Sequence, residues 1–359
     1  MIKYLGSKRT LVGEIVGTIV RSCGGGAPTV LDVFSGTSRV GHALKAAGCR
    51  VVANDHNAYA AALARCYVQA DAEDVLDQAE RLVGAFNARL RSGWGERGYF
   101  TETFCERSRF VQPKNGVRID AVREEIARLA LEPELESVML VSLMEAADRV
   151  DSTTGVQMAY LKGWSPRSHR DVELRVPAVL PRARGGKGLA ACLDALEAAE
   201  TFDADVAYVD PPYNQHSYLG NYHVWESLVR WDKPGVYGVA CKREDVKARR
   251  SAFNSRRACE AALRRLLEAI RAPVIVVSMS DEGFVSPAEM QAMLQGLWGG
   301  GGAVTMTAHD FRRYVGARIG IYNPRGERVG RVSHLRNREY VFVASRVGVG
   351  VAAGVCAGT

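Results

Sequence analysis

The segment from Thr29 to Asp55, TVLDVFSGTSRVGHALKAAGCRVVAND, constrains the fold of this chain more than any other. TVLDVF is an apolar run of strand length, RVGHALKAAG carries helix-period apolar residues and stops at a glycine, and RVVAND reads as a second strand. Strand, helix and strand in that order form a βαβ unit, and strands joined through a helix run parallel. A parallel sheet is covered on both faces, so the chain is expected to be a doubly wound α/β protein.

The rhythm breaks after about residue 70. Between 71 and 185 the chain is charged and helix-periodic, as in AVREEIARLA and ESVMLVSLMEAADRV, with a polar stretch from Ser92 to Asn115. This reads as a mainly helical insertion that exits through PRARGGKG. Strand-helix alternation then resumes: LAACLDALEAAE is expected as helix, DVAYVD as strand, SRRACEAALRRLLEAI as helix, APVIVVSMS as strand and PAEMQAMLQGLW as helix. AVTMTAHDF and REYVFVAS read as antiparallel edge strands. A catalytic domain of residues 1–70 and 186–346 therefore surrounds an insertion at 71–185, with 347–359 expected as a disordered tail.

Bulk properties narrow the class. With 47% hydrophobic and 24% charged residues in 359, the chain is an ordinary globular one. Its formal net charge of +7 suits a polyanionic partner without requiring one. The eight cysteines are scattered without zinc-ligand spacing, which points to reduced thiols and no metal. No membrane-length apolar run or leader-like h-region occurs, so a cytoplasmic location is expected.

Two places carry chemistry. In LDVFSGTSRVG a strand delivers Asp32, and Gly36 and Gly41 bracket the turn into a helix whose first backbone NH groups are unpaired. The second strand ends at Asp55, where doubly wound folds place a carboxylate on ribose hydroxyls. Neither G-x-G-x-x-G nor G-K-[ST] is present. Taken alone, this turn is equally compatible with an ordinary βαβ connection. The second place is VAYVDPPYNQHSYLGNYHVWE, where a strand runs into Asp210, Pro211, Pro212 and Tyr213. Two prolines hold the backbone rigidly past the strand end, so the Asp210 carboxylate and the Pro211 carbonyl can present adjacent acceptors to one amino group. Gripping both hydrogens of an exocyclic nucleobase amine draws its delocalised lone pair back onto nitrogen, and Tyr213 offers a stacking face. A plain turn with Tyr213 packed at its rim is the bland alternative.

Together these motifs resemble the Dam-like adenine-specific DNA methyltransferases, most closely their FokI-type branch, over nearly the whole chain. KYLGSKRTL resembles that family's N-terminal cofactor motif, LDVFSGTSRVG its glycine loop, AND its ribose-binding position, LDALEAA a further cofactor motif and DPPYNQHSYLGNYHVWE its catalytic motif and lid. The resemblance implies a Rossmann-like methyltransferase fold and S-adenosylmethionine as methyl donor. It places Tyr4 and Lys8 near the methionine end, Asp32, Phe34, Ser35, Gly36 and Thr37 beneath the cofactor, Asp55 on the ribose, Asp194 near the adenine, and Asp210 at the junction with the amine clamp. Ser38 departs from the family, which often has glycine there, and is expected to narrow the pocket.

The implied activity is N6 methylation of a flipped-out adenine in double-stranded DNA, by one in-line displacement with no metal. It is the modification half of a restriction-modification system with a cognate endonuclease as possible partner. RNA adenine N6 methylation, cytosine N4 methylation and an inactive DNA-binding module are the alternatives. For the DNA, CKREDVKARRSAFNSRR offers Lys242, Arg243, Lys247, Arg249, Arg250, Arg256 and Arg257 to phosphates. Asn214, His216, Tyr218, Asn221 and Tyr222 are expected to close over the flipped base. Base readout is expected in the insertion, from YLKGWSPRSHR and RSRFVQPKNG.

Overall fold

The computed structural model describes residues 1–6, 8–312, 321–322, 328–330 and 336–346. The tail beyond Arg346 lies outside the described residues. A seven-stranded sheet organises the molecule: β1 (Thr29–Asp32), β2 (Arg50–Asn54), β3 (Leu189–Ala191), β4 (Val206–Val209), β5 (Val274–Ser280), β6 (Gly302–Arg312) and β7 (Arg336–Arg346). Their spatial order is β3-β2-β1-β4-β5-β7-β6. The first five are parallel, and β7 is antiparallel to both β5 and β6.

Alternation along the strands builds the two layers. Val30, Val51, Val206, Val274 and Val276 face a core completed by Ile15 and Ile19 of α1 (Val12–Ser22) and Leu44 of α2 (Arg39–Ala46). Leu31, Val52, Ala207, Ile275 and Val277 face the other way, against Ala199 of α7 (Ala195–Thr201), Leu263 of α10 (Cys259–Ala269) and Met290 of α11 (Pro287–Gln295). Successive side chains on a strand point to opposite faces, so each apolar run feeds both cores.

Between β2 and β3 the chain forms α4 (Ala72–Arg91), α5 (Pro113–Leu129) and α6 (Pro133–Arg149). Their apolar faces do not close on themselves. Phe86, Ile119, Val138 and Met144 share one core with Tyr59 of α3 (Ala58–Ala64) and with Trp225 and Leu228 of α9 (His223–Arg230).

Two elements differ from expectation. LAACLDALEAAE is not one helix: Leu189–Ala191 pair with Val52–Asn54 as β3, and the helix starts after Asp194, whose carboxylate accepts from Leu196 N at 2.9 Å. Three residues carry too little periodicity to mark a strand, and only the waiting edge of β2 makes them one. REYVFVAS lies between β5 and β6, so of the two antiparallel strands only β6 is an edge strand.

The glycines of PRARGGKG have a steric reason. A Cβ on Gly188 would lie 2.6 Å from Val68 O and 3.1 Å from Val51 O, both backbone atoms. Gly188→Ala is expected to cost about 1–3 kcal/mol, the usual range for overpacking, read as a lower urea midpoint.

Candidate active site

The chain leaves β1 towards β2 and β3, then returns to β4 on the other side of β1. The connections after β1 and β4 therefore diverge from adjacent strands, opening a crevice at their carboxyl ends. Asp32 is the last residue of β1, and Asp55 and Asp210 follow the last residues of β2 and β4. Strand register thus delivers three carboxylates to one rim. Every position expected on the cofactor lines a single cleft there.

Asp32 is 1% exposed, and neither carboxylate oxygen has a well-aligned hydrogen-bond partner among the described residues, although the Ser35 hydroxyl lies near enough to pull its pKa down. Burial, with Asp210 nearby, raises its pKa to about 8. An orphaned buried acid beside a cleft is suited to a cationic amino group. Asp55 is the opposite case: Oδ2 accepts from Gly36 N at 3.1 Å and Oδ1 from Asn57 N at 2.9 Å. Burial still raises its pKa. The bonds tie the glycine turn to β2 and leave lone pairs towards the cleft.

Gly36 has φ 52°, and a Cβ there would lie 3.5 Å from the Tyr4 ring. Glycine adopts this left-handed backbone freely and keeps the space open. Gly41 serves packing instead, since a Cβ would stand 2.9 Å from Val68 Cγ2. Ser38 also has positive φ, 57°, which explains why glycine suits the position. It is fully buried with its hydroxyl 3.0 Å from that of Ser35, and it does not line the cleft, so the expected narrowing does not occur.

Lys8 joins the N-terminal segment to the clamp. Its ammonium is 3.1 Å from Asp210 Oδ1 and 3.0 Å from Glu339 Oε2. Burial alone would lower its pKa, but Asp210, Tyr213 and Glu339 carry it well above the ordinary value, so it stays charged. Asp210 is raised to about 6 by burial, with Lys8 pulling against the rise. Of the remaining clamp residues, Pro212 lines the cleft while Pro211 and Tyr213 do not. The Tyr213 ring sits 5.5 Å from Lys8 Nζ, and its backbone oxygen accepts from Phe284 N at 2.9 Å.

Glu339 belongs to no motif that the sequence displays. It pairs with Ser280 near the start of β7, and an antiparallel strand starts at the rim where the parallel strands end. Its only sequence signal is a carboxylate at the start of the apolar stretch YVFVA of its strand. Ser251, Phe253 and Asn254 also line the cleft unforeseen, embedded in a segment that stands out for its basic residues.

Four of the residues expected on DNA have other roles. Arg243 is 1% exposed and held by both oxygens of Asp232 at 2.7 Å and by Asp245 at 3.0 and 3.1 Å. Arg249 donates to buried Glu226 at 2.8 Å and to His56 O at 3.0 Å, inside the cleft wall. A guanidinium already paired with carboxylates, two partly exposed ones for Arg243 and the buried Glu226 for Arg249, is not free for phosphate. Asn221 and Tyr222 are buried, and Tyr222 stacks on Tyr4 with ring centroids 4.5 Å apart. Asn221 ends the short helix α8 (Tyr218–Asn221) and Tyr222 follows it. Tyr218 stacks on the other side of Tyr4, at 5.2 Å, and does line the cleft. Lys247, Arg250, Arg256 and Arg257 are exposed, as is His216, while Lys242 and Asn214 are half-buried. No helix among the described residues is long and apolar enough to cross a membrane.

The chain is similar to known proteins over most of its length. Residues 4–276 match the D12 class N6 adenine-specific DNA methyltransferases. The chain is 26% identical to the modification methylase StsI of Streptococcus sanguinis over 82% of its own length and 46% of that protein. It is 27% identical to the type II methyltransferase M.FokI of Planomicrobium okeanokoites, over 82% and 47%. For M.NlaIII of Neisseria lactamica the values are 26%, 87% and 92%. The chain thus spans about half the length of the first two relatives and most of the third. With a match over most of its residues and the strand-end acids in place, the chain belongs to the D12 class N6 adenine-specific DNA methyltransferase family.

Proposed function

We propose that this protein methylates the N6 amine of adenine at a specific short site in double-stranded DNA, as the modification half of a restriction-modification system. The observation that carries the reading is the pairing, in one cleft, of an orphaned buried carboxylate, Asp32, with the strand-end carboxylate Asp210 of Asp-Pro-Pro-Tyr. Bound S-adenosylmethionine would supply an activated methyl group on a positively charged sulfur. Asp32 would receive its amino group, Asp55 its ribose hydroxyls, and Phe34 and Asp194 would border its adenine.

Asp210 and the Pro211 carbonyl act on the target. Together they accept from the two amine hydrogens and hold the nitrogen lone pair in the direction of attack. Preorganised acceptors of this kind need no rearrangement at the moment of reaction. Lys8 keeps Asp210 oriented, and because Glu339 shares its charge, Asp210 is not wholly neutralised. Tyr213 supplies the stacking face, and Asn214, His216 and Tyr218 border the entrance for a flipped base.

Phosphate binding falls to the exposed members of the basic segment. Replacing Arg250, Arg256 and Arg257 together with Ala is expected to weaken DNA binding on all sequences. The salt dependence should flatten by about one unit of slope for each phosphate that is no longer neutralised, with the urea midpoint unchanged. Arg243→Ala should do the reverse, lowering the midpoint and leaving the salt slope alone. Equal effects on both readouts would remove the division between the two sets.

The function itself is tested by modification-sensitive sequencing of DNA from a methylation-free host expressing the chain. N6-methyladenine confined to one motif is expected. N4-methylcytosine, or no modified base together with methylation of RNA by the purified protein, would overturn the reading.

A further inference from the structure

The basic segment contains a short turn, Ala252–Asn254, whose Phe253 and Asn254 line the cleft together with the flanking Ser251. Ser251 Oγ accepts from Phe253 N at 3.3 Å and starts the turn at Ala252–Asn254. Phe253 sets its ring edge-on to Phe34 of the glycine loop, with centroids 5.1 Å apart at 83°. The next residue reaches the opposite wall: Asn254 Nδ2 donates to Asn214 O at 2.7 Å and to His216 O at 3.1 Å. Asn214 in turn accepts from His216 N at 3.0 Å through its own side chain. Consecutive residues of one rigid turn therefore touch the cofactor half of the cleft and the backbone that follows the amine clamp.

Resting on the function proposed above, we infer that Asn254 is a positioning residue that fixes the backbone after Tyr213 in its target-accepting shape, and that Phe253 links this shape to occupancy of the cofactor cleft. The chemistry is specific to a primary amide. Two carbonyl oxygens converging on one point repel each other unless a donor with two hydrogens lies between them, and Nδ2 is such a donor. An isosteric carboxylate would bring a third acceptor to the same place and open the loop. Because Phe253 is 8% exposed, packed against Phe34 and, like Phe34, lines the cleft, a cofactor held there would press on the same turn whose Asn254 holds the backbone of Asn214 and His216. Coupling of this kind is reciprocal: whatever factor the cofactor adds to DNA affinity, DNA adds to cofactor affinity.

The test uses the full chain and two variants, Asn254→Asp and Asn254→Leu. S-adenosylhomocysteine and a duplex carrying the methylated motif are bound separately and together, and kcat and cofactor KM are measured. Wild type should bind the duplex roughly 5–150-fold more tightly when S-adenosylhomocysteine is present. Both variants should bind S-adenosylhomocysteine alone within a few-fold of wild type, lose that enhancement, and fall about 10²-fold in kcat at unchanged cofactor KM. Two near-isosteric replacements guard against one failing to fold. Retained enhancement and kcat in either folded variant would overturn the assignment. So would loss of S-adenosylhomocysteine binding in proportion to kcat, which marks a merely structural residue. A wild-type chain that neither binds S-adenosylhomocysteine nor methylates DNA would instead overturn the function on which the inference rests.

Discussion

Asp210→Ala is expected to abolish methyl transfer, with kcat falling by about 10³ or more, beyond the usual loss of one preorganised electrostatic partner. Cofactor affinity should stay within a few-fold. The separation follows from the network around the residue. Lys8 loses one of its two carboxylates but keeps Glu339 at 3.0 Å, so no uncompensated buried cation remains to unfold the site. Removing Asp210 also removes a negative charge that raises the Asp32 pKa, so Asp32 ionises more readily in the variant. In wild type the rate should climb as pH rises through about 6, where the Asp210 carboxylate forms. Single-turnover methylation beside calorimetry with S-adenosylhomocysteine measures both halves, and retained turnover would remove Asp210 from the clamp.

Asp32→Asn should have the second largest effect, and it acts in opposite directions on binding and stability. Losing a charged hydrogen bond to the cofactor amino group costs about 1.5–3 kcal/mol, so affinity should fall by about 10- to 150-fold. Wild-type affinity for a cationic cofactor should rise with pH up to about 8, where the empty site loses its proton, and then level. The pKa of this acid is raised from 3.8 to about 8 on folding, so across that window the folded chain holds a proton that the unfolded chain has released. Stability from this group is therefore complete at low pH and lost as pH rises through about 8. Asparagine carries no such penalty. Without cofactor, Asp32→Asn should melt higher than wild type at pH 8.5, and the difference should shrink at pH 5. Equal melting at both values would mean that Asp32 is not a strained acid held for binding.

Much of the site was legible because it sits at strand ends. Asp32 ends a short strand, and Asp55 and Asp210 directly follow short strands, each strand with an apolar centre, and any parallel arrangement of those strands brings the acids to one edge. The helices between residues 72 and 149 and the antiparallel pair at 302–312 and 336–346 were also visible, from period and from β-branched content. Less legible was β3, whose three residues become a strand only when β2 offers an unpaired edge. Helix boundaries shifted for similar reasons: the segment expected from Ser255 begins as helix at Cys259, after the turn that packs on the cleft.

Charge was the poorest guide. Lys242 to Arg257 look alike in sequence, yet Arg243 and Arg249 are consumed by Asp232, Asp245 and Glu226, while Arg250, Arg256 and Arg257 remain exposed. A basic residue becomes available to a phosphate only if no acid claims it first, and Glu226 reaches Arg249 from a helix that begins at His223. By itself the sequence determined the doubly wound class and the strand-end acids, because a strand's direction and its apolar run are local properties. Only the tertiary structure decided that Glu339 shares the Lys8 charge, that Asn254 bridges the clamp loop and which arginines stay exposed, because each depends on side chains meeting across elements far apart in the chain.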